Sequence, residues 1–250
     1  MMKRILYIAM LLLFPLAATA GNDAKENGDK AYEEKRYSDA IAIYEEAIKG
    51  GNESKQLYYN LGNAYFRNNE TGRAILNYER ALRLDPADED VKANLEFANK
   101  LTKDEVAEEY EIFLVTWWKA FVNMLSTDTW AIVAVMAFAV SLAGLVMMFL
   151  SKNSTVRNSG ITASAVCFVI CIIANFAAYS SYSRMTDNSK AIVLKEEVSV
   201  MSAPGASAVL TKVHEGRKLN ATDETTGRWT KIELEDGTVG WVMNSDIERI

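Results

Sequence analysis

Cysteine is nearly absent from this chain, and its two examples, Cys167 and Cys171, both lie inside an apolar run. That excludes a disulfide framework or a cysteine zinc site in the polar segments, since either needs several thiols at set spacings. Histidine is scarcer still: His214 stands alone. It precedes a turn, has no Ser, Cys or carboxylate beside it in a catalytic pattern, and reads as a surface residue. There is no nucleophile motif, no glycine-rich phosphate loop and no metal-ligand spacing, so the sequence carries no signature of catalysis, a metal or a cofactor.

Positive charge is the next deficit, with 27 Lys+Arg against 33 Asp+Glu. A nucleic-acid partner would need basic surface, which this balance does not supply. Glu105, Glu108, Glu109 and Glu111 cluster just before the longest apolar section. They read as one solvated face of a linker helix rather than a metal site.

Apolar residues make up 50% of the chain but are unevenly spread, so the organisation has to be read piece by piece. In MMKRILYIAMLLLFPLAATA, Lys3 and Arg4 precede an apolar core, and Ala18-Thr19-Ala20 supplies small side chains before Gly21. Residues 1–20 therefore read as a cleavable export signal. An uncleaved anchor is the alternative, against which the core is shorter than the roughly 20 residues of a spanning helix. No cysteine follows to suggest a lipid anchor. Cleavage would remove two cations, leaving 25 against 33 acids, a net charge of −8.

Residues 21–104 carry a helical repeat. Tyr58, Leu61, Gly62, Tyr65, Ala74, Tyr78, Ala81 and Pro86 fall at the marker spacings of a two-helix unit, and one repeat length of 34 residues earlier Gly28, Ala40, Tyr44 and Ala47 form a degenerate copy. Gly62 and Ala74 are small where two helices would cross closely, the large apolar residues recur at helical spacing, and Pro86 ends the second helix. Leu95 marks one further helix with no partner after it, as expected of a cap. The segment resembles the tetratricopeptide repeat. That resemblance implies an inner groove lined by first helices that binds extended segments of partner proteins. The register places Lys25, Asp29, Tyr32, Tyr59, Asn60, Asn63, Phe66, Arg67 and Asn94 in it. Asp29, Asp90 and Asn94 stand where a carboxylate clamp would want an asparagine and two cations, so no clamp is expected.

Residues 129–150 and 160–181 are long runs without a charge, each sufficient to cross a bilayer. A buried soluble pair is the alternative, which their length and purity disfavour. The loop between them, residues 151–159, carries Lys152 and Arg157 and no acid. The positive-inside rule assigns it to the cytoplasm, as two crossings after an exported N-terminus also require. Small residues on the first run, including Ser141 and Gly144, and a four-residue stripe on the second, Cys167, Cys171 and Asn175, are expected to pack on each other. Asn175 is expected to bond across the hairpin or to a partner helix. Within the linker of residues 105–128, Ile112–Leu125 is too short to span and contains Trp117, Trp118 and Lys119. It reads equally as an interfacial helix and as a helix docked on the repeats.

After residue 186 the texture changes to short β-rich runs separated by turn residues. Pro204-Gly205, Glu215-Gly216, Trp229, the hairpin at Asp236-Gly237, and Gly240-Trp241-Val242 resemble a bacterial SH3-like domain over residues 186–250. Such domains hold cell-wall material or protein partners, and Trp229 and Trp241 are the candidates for a binding face or for core. Met201 stands where the family often has Arg.

The expected class is thus a multidomain membrane protein: an all-α tetratricopeptide solenoid, a two-helix transmembrane hairpin and an all-β SH3-like barrel. That order resembles the BatE-type proteins of the bacterial aerotolerance (Bat) group. The resemblance implies membership of an inner-membrane system whose other components include von Willebrand A-type proteins and a MoxR-type ATPase; the lack of catalytic motifs, with the repeat and the two tethered modules, leads to the expectation of a non-enzymatic scaffold that binds partner proteins. Peptidoglycan binding through the SH3-like domain is the alternative.

Overall fold

The computed structural model describes residues 14–104, 112–234 and 236–250, with side chains from Ala24 onward. The start of the expected export signal and the acidic run at residues 105–111 lie outside the described residues. The chain divides into two compact units, one formed by residues up to Glu108 together with Asn188–Ile250, the other by Glu109–Asp187.

In the first unit, α1 (Phe14–Glu33), α2 (Tyr37–Lys49), α3 (Lys55–Arg67), α4 (Thr71–Leu84) and α5 (Glu89–Asn99) form helical hairpins. The sequence punctuates them. Ser54 caps α3 by accepting the Leu57 N–H at 3.2 Å, and Asp88 caps α5 by accepting the N–H groups of Asp90 and Val91 at 3.1 Å. Lys35 and Asn69, one repeat apart, take the left-handed conformation in the turns (φ 60° and 64°). The glycines sit where the helices cross: a Cβ on Gly62 would lie 2.7 Å from the Tyr78 ring, and one on Gly28 2.2 Å from the Tyr44 ring. Around these crossings Tyr44, Leu61, Ile75, Leu76 and Tyr78 are buried in one core.

The same unit contains a seven-stranded antiparallel sheet: β1 (Lys190–Val193), β2 (Glu197–Met201), β3 (Val209–His214), β4 (Lys218–Thr226), β5 (Trp229–Glu233), β6 (Val239–Met243) and β7 (Ile247–Arg249), in the order β3-β2-β6-β5-β4-β1-β7. Alternation decides its faces: Val198, Val200, Ile232 and Val242 point into the sheet core. Strand β1 is buried on both faces. Ala191 and Val193 join the sheet core, and Ile192 between them joins the helical core. The sheet is therefore packed on the repeats rather than tethered beside them.

The second unit holds α6 (Phe113–Val122), α7 (Thr127–Leu150) and α8 (Ser154–Met185). Both α7 and α8 are long and apolar enough to cross a membrane, and only 22% and 17% of their most apolar windows are buried within the protein. Outward-facing Val135, Phe138, Leu142, Val169 and Phe176 are exposed. The turn between the helices is short: α8 begins at Ser154, capped by Asn153, whose Oδ1 accepts the Thr155 N–H at 2.9 Å. Arg157 accordingly lies on a helix.

Candidate binding surfaces

The inner face of the repeats is built from a hydrogen-bond motif that occurs twice. Asp29 of α1 accepts the Tyr44 hydroxyl at 2.6 Å and the Asn60 Nδ2 at 2.7 Å. One repeat later, Asn63 of α3 accepts the Tyr78 hydroxyl at 2.8 Å and the Asn94 Nδ2 at 3.0 Å. The separations along the chain, 15 and 31 residues, are identical in the two copies. In each, a second-helix tyrosine reaches through the hairpin to a first-helix acceptor that also receives an amide from the next first helix. Burial and Asp29 together push the Tyr44 hydroxyl far above its ordinary pKa, and burial does the same for Tyr78, so both remain donors at any physiological pH.

Every groove residue named from the sequence can be placed. Lys25 pairs with Asp29 at 2.5 Å, and Asn94 also donates to the Tyr59 hydroxyl at 3.0 Å. Tyr32 packs edge-on against Tyr37, and Phe66 against Phe97, with ring centroids 5.3 and 5.7 Å apart. Arg67 is exposed, and the Tyr32 hydroxyl is the main cause of its raised pKa. These half-buried polar groups are thus already joined across α1, α3 and α5, giving a rigid face whose free hydrogen-bonding capacity is partial.

On the sheet, Trp229 and Trp241 point away from the core. The register sets Met201 opposite Trp241, Trp241 opposite Lys231, and Trp229 opposite Met243. All five side chains are half-buried, giving a two-row face of aromatic, thioether and one cationic group.

Residues 25–89 match the tetratricopeptide-repeat family. This segment is a tetratricopeptide-repeat region. A curated relative, the putative N-acetylmuramoyl-L-alanine amidase YrvJ of Bacillus subtilis (strain 168), is 32% identical over 78 residues, which are 30% of this chain and 15% of that protein. The chain thus corresponds to a small share of that relative's length.

Between the tetratricopeptide array and the sheet lies a polar seam that the sequence did not disclose. Lys218 meets both carboxylate oxygens of Glu79 at 2.8 Å, Arg80 meets Glu248 at 2.8 Å, and Arg83 donates to the carbonyl of Ile250. The Gly72 N–H donates to Glu215 Oε1 at 2.7 Å. At the turn after β3, Gly216 (φ 84°) lies so close that a Cβ would be 2.6 Å from Thr102 and 2.7 Å from Ile75, and both its conformation and its space require glycine. His214, expected to be a surface residue, is corrected: its Nδ1 lies 2.7 Å from Asp104 Oδ1, and its N–H donates to Asp104 Oδ2 at 2.8 Å. The two residues are 110 apart in sequence, which is why no local pattern showed the pairing.

On α7 the small residues Ala134, Ala137, Ser141 and Gly144 are buried, with Trp130 at the start of the helix; on α8 the four-residue stripe needs correction. The α8 contact stripe runs through Gly160, Ser164, Cys167, Cys171 and Ala174, with steps alternating between four and three; both cysteines are half-buried. A strict four-residue stripe rotates off the face because a turn holds 3.6 residues. Asn175 is therefore exposed, and its Nδ2 bonds back to the Cys171 carbonyl at 2.9 Å rather than across the hairpin. Bonds across the hairpin are made instead by Ser141, whose hydroxyl donates to the Ser164 carbonyl at 3.0 Å, and by Thr127, whose hydroxyl lies 2.6 Å from that of Ser181.

Proposed function

We propose that this protein is a non-enzymatic scaffold held in the bacterial inner membrane by α7 and α8, recruiting a partner protein on the first-helix face of its tetratricopeptide array. The observation that carries the proposal is the twice-repeated tyrosine-acceptor-amide motif. It fixes α1, α3 and α5 against one another, so that a partner segment meets a preorganised surface and little ordering cost remains at binding. The export signal and the cations Lys152 and Arg157 support an arrangement in which the array and the sheet are periplasmic and the turn between α7 and α8 is cytoplasmic. The SH3-like reading of the sheet and the Bat-type order of segments make von Willebrand A-type membrane proteins, working with a MoxR-type ATPase, the partners of choice. The test is binding of the full chain in lipid nanodiscs to the soluble domain of a co-encoded von Willebrand A-type protein. Phe66→Ala with Arg67→Glu should weaken it by about tenfold or more, roughly 1.4 kcal/mol. Undiminished binding would remove the groove from the mechanism.

A second reading, peptidoglycan attachment, is favoured by the outward Trp229 and Trp241 rows and by the likeness to a protein named as a putative amidase. It predicts that the full chain in nanodiscs sediments with purified cell wall and that Trp229→Ala or Trp241→Ala does not. Failure of the unaltered chain to sediment would dismiss it.

A further inference from the structure

Among the outward-facing side chains of α7 and α8, Asn175 is out of keeping with its surroundings. It is exposed, as are Ile172 and Phe176 beside it, and it lies about 9 Å along the helix axis inside Ser181, where the uncharged run ends. A side chain this short cannot carry its polar end to the interface as a lysine or arginine does. Its Nδ2 donates to the Cys171 carbonyl at 2.9 Å, and a carbonyl only accepts, so the bond fixes the orientation of the amide. Beyond that bond the amino group meets only the Cys171 Sγ at 3.5 Å, a weak acceptor, and no described residue donates to Oδ1. In hydrocarbon no water replaces the missing partners, so an amide left in this state is costly. Thr162, also exposed on α8, differs: its hydroxyl is satisfied by the Asn158 carbonyl at 3.1 Å.

The amide marks one stripe of the outward surface. Phe168, Ile172, Asn175, Tyr179 and Tyr182 follow one another at steps of four and three residues, and all of them are exposed. The mean step of such a stripe, about 3.5 residues, is the period that keeps one face of a helix against a neighbouring helix along its length. The amide also sets what the neighbour must hold, a donor and an acceptor at this depth. A second copy of the chain, inserted with the same topology, supplies both. Its α8 runs parallel, its own amide lies at the same depth, and two such amides about a two-fold axis exchange two N–H···O bonds while each keeps its bond to the carbonyl of its own helix.

We infer that the protein forms a parallel homodimer in the membrane through this face of α8, with Asn175 paired to Asn175 of the partner subunit. The inference rests on the reading of α7 and α8 as membrane spans. The face is separate from the stripe of Gly160, Ser164 and Ala174 that packs on α7. A dimer carries two copies of the tetratricopeptide array, so a partner with two binding segments is held by both at once.

The experiment uses full chains labelled with donor or acceptor fluorophores and reconstituted together in phosphatidylcholine vesicles. Energy transfer should persist as the lipid-to-protein ratio rises. Asn175→Leu should raise the apparent dissociation constant by about fivefold or more, whereas Asn175→Gln, which keeps the amide, should lose less. In a background of Cys167→Ala with Cys171→Ala, oxidation should cross-link copies carrying Phe168→Cys or Ile172→Cys and leave those carrying Val166→Cys or Ile173→Cys, on the opposite side of α8, uncoupled. Transfer unaffected by Asn175→Leu, equal cross-linking at all four positions, or cross-linking of the stripe in native membranes to a different chain in place of a second copy overturns the inference. Extraction of the full chain from the vesicles by alkaline carbonate overturns the membrane reading itself, and a chain that resists extraction yet shows no transfer overturns the dimer alone.

Discussion

Asp104 is the residue at which charge and burial most clearly oppose each other. Burial acts to raise its carboxyl, yet the His214 ring and backbone N–H outweigh that and hold it below the ordinary aspartate range. A carboxylate whose pKa is depressed by folding contributes its stability fully above the unfolded value, about 4, and loses it as pH falls through the folded value. The protection factors of the β3 amides, taken against the intrinsic exchange rate at each pH, should therefore fall as pH is lowered below about 4, and Asp104→Asn should remove that acid step. An unaltered acid profile in Asp104→Asn would show that another group governs it, the neighbouring Glu197 (3.8 Å from His214 Nε2) being the nearest alternative. Residue identity gave no hint of this pair, because neither residue belongs to a motif. The repeat motif was half legible: Asp29, Asn60, Asn63 and Asn94 could be assigned to the inner face by register, whereas their bonds to Tyr44 and Tyr78 required the helices to be in place.

The hairpin of α7 and α8 is decided by shape. A Cβ on Gly144 would lie 2.6 Å from the Gly160 carbonyl oxygen and 3.0 Å from the Ser164 Cβ, and backbone atoms cannot yield as a flexible side chain can. In lipid, where apolar surface alone does not drive helices together, such close approach is the main source of association. Gly144→Leu should separate the helices at this level and lose the Ser141 bond, read as a large fall in the SDS fraction needed to unfold the full chain, while Cys167→Ala should shift it little. Equal effects would mean that the contact does not depend on this crossing. The element α6 carries the same lesson. Its Phe121 packs on Trp130, with ring centroids 5.0 Å apart, and the Trp130 Nε1–H donates to the Val122 carbonyl at 2.9 Å. Phe113 and Trp117 face outward, 76% and 58% exposed. The amphipathic pattern was visible in sequence; the surface that α6 packs on was not.

For the molecule as a whole, the seam between array and sheet is the decisive feature. Its ion pairs are partly exposed, so each is worth little: Glu79→Gln should destabilise by about 1 kcal/mol or less. Close packing matters more. A Cβ on Gly72 would stand 2.8 Å from the Val193 carbonyl oxygen, so Gly72→Leu should push β1 off α4 and expose residues 188–250 to limited proteolysis. Resistance equal to that of the unaltered chain would show that the sheet holds its place without this contact. Orientation is tested at the same scale: a reporter active only outside the cytoplasm, inserted after Ser154, should be silent, and activity there would reverse the proposed topology.

The sequence by itself determined the parts of this protein. A repeat of 34 residues, two uncharged apolar runs and alternating β-strands each carry their own period, and period dictates local structure before any long-range contact forms. The tertiary structure decided what those parts face. Ile192 enters the helical core while its neighbours Ala191 and Val193 enter the sheet core, the α8 contact stripe follows a 3.6-residue turn rather than a four-residue spacing, and His214 finds Asp104. These pairings depend on groups far apart in the chain meeting in space, and a linear pattern holds no record of that.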